Sequence, residues 1–193
     1  YRTPVYIVSD GMLGQMMEPV TFKRKKEIET ENREWAAVGH ANSRKPNLVK
    51  TLFLDPERLE EHNLHLHRKY EAIQRDEARY ELQVEGDLEV IITAFGSTAR
   101  IVRNAIEILK ENGIRAGLLR PKTLWPFPWQ PFDELPDSCT RVFCVEMSCG
   151  QMKDDVELAL KGRIPMSFFG RSGGMIPSPT EIAEKVMQEI GRE

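Results

Sequence analysis

The sequence predicts an α/β protein, a mainly parallel open sheet with helices on both faces, occupying its C-terminal half. Three observations predict it. Beyond residue 86, short apolar runs alternate with segments of helical period. The runs are continuously apolar, as strands covered on both faces require. Each helical segment also carries its own start or stop signal.

The elements follow in order. "LEVIITAF" (88–95) reads as the first strand of this alternation, and Ile101, Val102, Ala105, Ile106 and Leu109 then mark one helical face that ends at Asn112-Gly113. "IRAGLLR" (114–120) is the next strand. After it comes "RPKTLWPFPWQPF" (120–132), with two Trp, two Phe and four Pro in thirteen positions. Proline bars this stretch from being a regular helix or central strand, so its aromatics either close a core or meet a partner. "RVFCVEM" (141–147) is a third strand, "QMKDDVELAL" (151–160) a helix and "IPMSFFG" (164–170) a fourth strand. Ser178-Pro179-Thr180-Glu181 is a capping box with Pro at the first helical position, opening a last helix with Ile182, Val186 and Ile190 on one side.

The N-terminal half is different in character. "PVYIVSD" (4–10) reads as a buried strand, and "GQMMEPV" (14–20) as one or two helical turns stopped before Pro19. From Phe22 to Pro46 the chain is charged and without period, an irregular region. Asp55 caps and Pro56 opens a long helix over 55–82, on which Leu59, Leu66, Tyr70, Ile73 and Tyr80 form a narrow apolar stripe. Three portions result: 1–54, a linking helix over 55–85, and an α/β domain over 86–193.

Composition excludes several classes. Net charge is −3, from 27 Lys and Arg against 30 Asp and Glu, so no basic excess points to nucleic acid. The run Lys23-Arg24-Lys25-Lys26 is followed by Glu27, Glu29, Glu31 and Glu34 and reads as a solvated, balanced surface. No apolar stretch reaches the ~18 residues a membrane helix needs. Cys139, Cys144 and Cys149 match no CxxC pattern and suit a reduced, cytoplasmic chain. The chain starts at Tyr1 without Met and runs straight into a strand-like segment, as a piece of a longer protein does.

In an open parallel sheet, ligands gather at the carboxyl ends of the strands. Four loops lie there: 96–100, 120–128, 146–151 and 170–179. Gly96, Ser97 and Thr98 are candidates to bind an anion, the competing reading being that Ser97 or Thr98 is a plain N-cap. Arg171 among glycines suits a carboxylate, a phosphate or a partner backbone, and a plain turn fits it equally. His62, His65 and His67 lack the further ligands a metal site needs. Cys144 reads as core, while Cys149 sits in a loop. Asp10 reads chiefly as stabilising the turn that follows it. These residues contain no self-contained catalytic set.

"GSTARIVRNAIEILKENGIRAGLLRPKTLWPFP" and "VEMSCGQMKDDVELALKGRIPMSFFGRSGGMIPSPTEI" resemble the alpha subunit of the 2-oxoacid:ferredoxin oxidoreductases. "PVYIVSDGMLGQMMEPV" is similar to the end of that family's pyrimidine-type thiamine diphosphate domain, with a transketolase C-terminal-like domain following. "TLWPFP" resembles the branched-chain (ketoisovalerate) type most, with the 2-oxoglutarate and pyruvate types close behind. The resemblance implies oxidative decarboxylation of a 2-oxoacid to an acyl-CoA, with electrons passing to ferredoxin.

It further implies thiamine diphosphate with Mg, held together with a thiamine-binding beta subunit, and iron–sulfur clusters on partner subunits, gamma among them. No cofactor is expected on this chain alone, which is expected to be inactive, with the first half of the pyrimidine domain missing. Arg120, Thr123, Trp125 and Arg171 are the expected substrate or interface contacts, with no chemical step assigned. The alternatives are a purely structural dimerisation module, or a subunit of an E1 beta-type or transketolase-type thiamine enzyme.

Overall fold

A computed structural model describes residues 1–22, 34–37, 39–40 and 42–192. The basic run Lys23 to Lys26 and Glu27, Glu29 and Glu31 lie outside the described residues. Contacts divide the chain into two units, one of Tyr1–Gln15 with Arg68–Glu193 and one of Met16–His67.

The first unit is built on a five-stranded sheet. Its strands are β1 (Tyr80–Gln83), β2 (Val90–Thr93), β3 (Ala116–Pro121), β4 (Arg141–Glu146) and β5 (Met166–Gly170), in the spatial order β1-β3-β2-β4-β5. β2, β3, β4 and β5 run parallel, and β1 pairs antiparallel with β3 at one edge. The helices are α1 (Pro56–Glu77), α2 (Gly96–Glu111), the short α3 (Gln130–Asp133), α4 (Gln151–Leu160) and α5 (Pro179–Glu189). The predicted α/β class, with its four strands alternating with helices, is the observed one.

Strand periodicity divides the core. Val90 and Ile92 point into a cluster with Val102, Ala105 and Leu109 of α2 and Ile182 and Val186 of α5, while Ile91 points the other way to Phe132, Met152 and Val156. The central strands are therefore buried on both faces, which is why their sequences read as unbroken apolar runs. At α5 the predicted capping box is complete: the Ser178 hydroxyl accepts from the Glu181 N–H, and the Glu181 carboxylate accepts from the Ser178 N–H.

Three local readings differ. Residues 4–10 are not a buried strand: Ile7 is 94% exposed, and Val5, Tyr6 and Val8 are exposed with it. A strand needs a ladder, and among the described residues no strand of the sheet pairs with this segment. Only a 3-10 turn, Leu13–Gln15, forms where up to two helical turns were expected. The long helix stops at Glu77 and not at residue 82, because Tyr80–Gln83 pairs with β3 and the Arg79 carbonyl accepts from the Lys122 N–H at 2.8 Å. Ladder bonds and burial override a local preference for helix.

In α1 itself only Ile73 of the predicted stripe is buried, while Leu59 and Tyr70 remain exposed. In the second unit Arg44 donates to the Ala36 and Gly39 carbonyls, at 3.0 and 3.1 Å, and Phe53 stacks on His62 at 4.7 Å. Among the described residues no helix is long and apolar enough to cross a membrane.

Candidate functional site at the carboxyl edge of the sheet

The parallel strands all end at one edge, and Gly96, Ser97, Thr98, Arg120, Thr123, Trp125 and Arg171 lie at or just beyond it. After β2 the chain passes through Ala94 and Phe95 into α2, whose first residues are Gly96, Ser97 and Thr98. Gly96 has φ +57°, a left-handed conformation that glycine adopts without strain. Neither Ser97 nor Thr98 is the N-cap. Phe95 holds that position and makes no side-chain capping bond.

The anion at this helix start comes from the chain itself. The Asp10 carboxylate accepts from the Ser97 hydroxyl, and its other oxygen accepts from the Leu13 N–H at 2.9 Å. The Ser97 hydrogen bond first, and then the Leu13 amide, hold the Asp10 carboxyl below its ordinary range. Asp10 thus stabilises the turn after it, as expected, and also answers the N-terminus of α2.

A second carboxylate repeats the arrangement at α4. Glu146, the last residue of β4, is 1% exposed, and it accepts from the Ser148 hydroxyl and from the N–H groups of Met152 (3.2 Å) and Lys153 (3.1 Å). Gly150, with φ +112°, turns the chain so that these donors face it. Nothing above singled out Glu146, although a charged residue inside a strand read as buried was the available signal. At α5 the same part is played by Glu181, which also pairs with Arg171.

Arg171 sits over the Phe169 ring at 5.7 Å, and its backbone N–H donates to the Glu146 carbonyl at 3.1 Å. Its guanidinium is therefore already engaged at Glu181. Arg120 pairs with Glu81 across the β1–β3 ladder at 3.3 Å. By strand order the ends of β3 and β5 are three spacings apart, about 14 Å. Arg120 and Arg171 are held by separate carboxylates, Glu81 and Glu181.

The aromatic loop divides between core and surface. Phe127 and Phe132 are buried and stack at 5.7 Å, with Trp129 edge-on to Phe127 at 5.5 Å. Trp125 is 61% exposed and meets Tyr70 edge-on at 5.8 Å. Thr123 braces the turn, accepting from the Arg79 N–H at 2.9 Å and donating to the Pro126 carbonyl at 2.7 Å. The Gln74 side chain holds the Phe127 carbonyl at 2.6 Å. The bond between Trp125 and Pro126 is cis.

The residues present do not fit a thiamine diphosphate. A diphosphate needs open main-chain donors, but the starts of α2, α4 and α5 are answered by Asp10, Glu146 and Glu181. Among the described residues no three His, Cys, Asp or Glu side chains converge to hold its metal. Nor do the cysteines fit an iron–sulfur cluster: Cys139 and Cys144 are buried, and burial pushes both thiols up, whereas a cluster takes thiolates.

Comparisons with known proteins place the chain among relatives of stated names. Residues 88–182 match the family Pyruvate:ferredoxin oxidoreductase core domain II. The ketoisovalerate oxidoreductase subunit VorB of Methanothermobacter thermautotrophicus is 39% identical over 99% of this chain and 54% of its own length. The chain thus spans about half the length of the curated relatives it matches. A 2-oxoglutarate:ferredoxin oxidoreductase from Magnetococcus marinus, solved with 2-oxoglutarate, coenzyme A and succinyl-CoA bound, superposes with TM-score 0.62 at 26% identity over 72% of this chain and 24% of that one. A split gene transketolase, an inactive beta4 tetramer, shares the fold at TM-score 0.52 and 19% identity over 58% of this chain and 41% of that one. Residues 88–182 are thus similar to a pyruvate:ferredoxin oxidoreductase core domain II, and 99% of the chain is similar to about half of a ketoisovalerate oxidoreductase subunit.

Proposed function

We propose that the chain is part of the alpha subunit of a coenzyme A-dependent 2-oxoacid:ferredoxin oxidoreductase that oxidatively decarboxylates a branched-chain 2-oxoacid to its acyl-CoA. The observation that carries the reading is the 39% identity to a ketoisovalerate oxidoreductase subunit along 99% of the chain, against 27% and 30% to two 2-oxoglutarate synthase subunits. In this reading residues 86–193 are a transketolase C-terminal-like domain, 55–85 a link, and 1–54 the end of a pyrimidine-type domain.

Thiamine diphosphate with Mg then belongs with a thiamine-binding beta subunit, and the iron–sulfur clusters with partner subunits that pass electrons to ferredoxin. The occupied helix starts and buried cysteines support that division of labour. Three unpaired cysteines suit a reducing, cytoplasmic location. This portion serves assembly and lines the active-site mouth, with Trp125 and the outer face of the aromatic loop meeting the beta subunit, and it is inactive alone.

Substrate assays on the complete enzyme test the reading. Reduction of a viologen should depend on coenzyme A and favour 3-methyl-2-oxobutanoate over 2-oxoglutarate by kcat/KM. A preference for 2-oxoglutarate would remove the branched-chain assignment, and a requirement for lipoamide would remove the ferredoxin class. Arg171→Ala separates lining from assembly: a raised KM for the 2-oxoacid or coenzyme A places Arg171 at the substrate, and an unchanged one makes the domain an assembly module.

A further inference from the structure

Glu81, on the edge strand β1, faces three cations drawn from two other segments. Arg103 of α2 reaches it at 3.0 Å, Arg120 of β3 at 3.3 Å, and Lys122, just beyond β3, at 3.5 Å. The fold explains the convergence. Glu81 and Arg120 are cross-strand partners, so their side chains leave the same face of the sheet. Lys122 follows two residues after Arg120, and α2 lays Arg103 alongside.

Glu81 is the one carboxylate within ion-pair distance of all three cations among the described residues, with Glu85 and Glu107 further along the same face. Gln83 is neutral; it donates to Glu81 at 2.6 Å and accepts from Arg103 at 3.1 Å. Cations this close repel one another, and one carboxylate cannot cancel them. Burial pushes the Glu81 carboxyl up, yet the hydrogen bond and charge of Arg103, with the charges of Lys122 and Arg120, outweigh it and hold the group below its ordinary range. Arg120 Nε is also buried without an acceptor among the described residues, a donor that a complete ion-pair network would use. The side chains stay reachable from solvent, Lys122 being 48% exposed.

We propose that this face is a binding site for a phosphoryl-type oxyanion, held between Arg120 and Lys122 with Arg103 behind them, and that Glu81 is its internal competitor. The flat guanidinium of Arg120 offers paired donors to such an anion, and the Lys122 ammonium supplies a mobile point charge. The inference stands on these side chains alone and is independent of the oxidoreductase reading. Phosphate binding and 2-oxoacid turnover fail separately.

The test is titration of the full chain with inorganic phosphate, followed by NMR of the backbone and guanidinium N–H groups. A parallel arm uses glycerol phosphate, to distinguish free phosphate from a phosphate ester. Saturable shifts at Arg120 and Lys122 are expected, weakened about tenfold in Lys122→Gln and tightened roughly three- to tenfold in Glu81→Gln. Tighter binding of the ester assigns the site to a larger phosphorylated ligand, and equal or weaker binding to phosphate itself. No saturable shift in the parent chain, or shifts that neither substitution changes, overturns the proposal. Should Glu81→Gln disturb the ladder, Lys122→Gln decides alone, since the solvent-facing Lys122 side chain can be shortened without touching the backbone bonds of β3.

Discussion

Ser97 donates its hydroxyl hydrogen to the carboxylate of Asp10, joining residues 87 positions apart and fastening the N-terminal segment to the start of α2. The carboxylate bridges two elements, since its other oxygen holds the Leu13 amide. The ionised carboxylate is the stronger acceptor for both bonds.

The anchor should be pH-dependent in one direction. The folded-state pKa of Asp10 lies below its ordinary value of 3.8, so its stabilising contribution is complete above that value and is lost as pH falls through the lower folded-state pKa. The protection of the Leu13 amide, its exchange rate relative to an unstructured chain at the same pH, should hold down to pH ~4 and fall below it. Asp10→Ala should remove the protection at every pH. A Leu13 amide with no pH response would show that the carboxylate does not hold it.

Glu146→Ala should be among the costlier single changes in the domain. It strips the Met152 and Lys153 N–H groups and the Ser148 hydroxyl of a shared acceptor in a buried place, at about 2–4 kcal/mol. Glu146→Gln keeps one acceptor oxygen and should cost less. Urea unfolding of both variants checks the ranking, which fails if Gln is as damaging as Ala.

Within the aromatic loop, stability and contact should separate. Phe132→Ala opens the core between α3 and α4 and should cost about 3–5 kcal/mol. Trp125→Ala removes a mostly exposed ring and should change stability by less than about 1 kcal/mol. Thermal unfolding measures both. If Trp125 meets the beta subunit as proposed, its variant should weaken complex formation in gel filtration while folding normally.

Thiol chemistry should single out one cysteine. Cys139 and Cys144 are buried, and burial raises both thiols, aided at Cys144 by the Glu146 carboxylate. Cys149 is exposed. A thiol reagent at pH 8 should label one of the three cysteines quickly in the native protein and the others only on unfolding, with mass spectrometry locating the label at Cys149.

The sequence by itself determined what is carried by neighbours along the chain. The parallel strands, the extent of α4 and the capping box at Ser178 follow from apolar runs, periodicity and caps, all of which act within a few residues. Tertiary structure decided what depends on residues far apart. It turned Tyr80–Gln83 from helix into edge strand by pairing it with β3, and it split the aromatic loop into the buried Phe127 and Phe132 and the exposed Trp125. It also filled the expected anion position at Ser97 with Asp10, and set Glu146 beneath the start of α4. Ladder bonds, burial and charge pairing act through space, so a single residue's role in them appears only once its distant partner is in place.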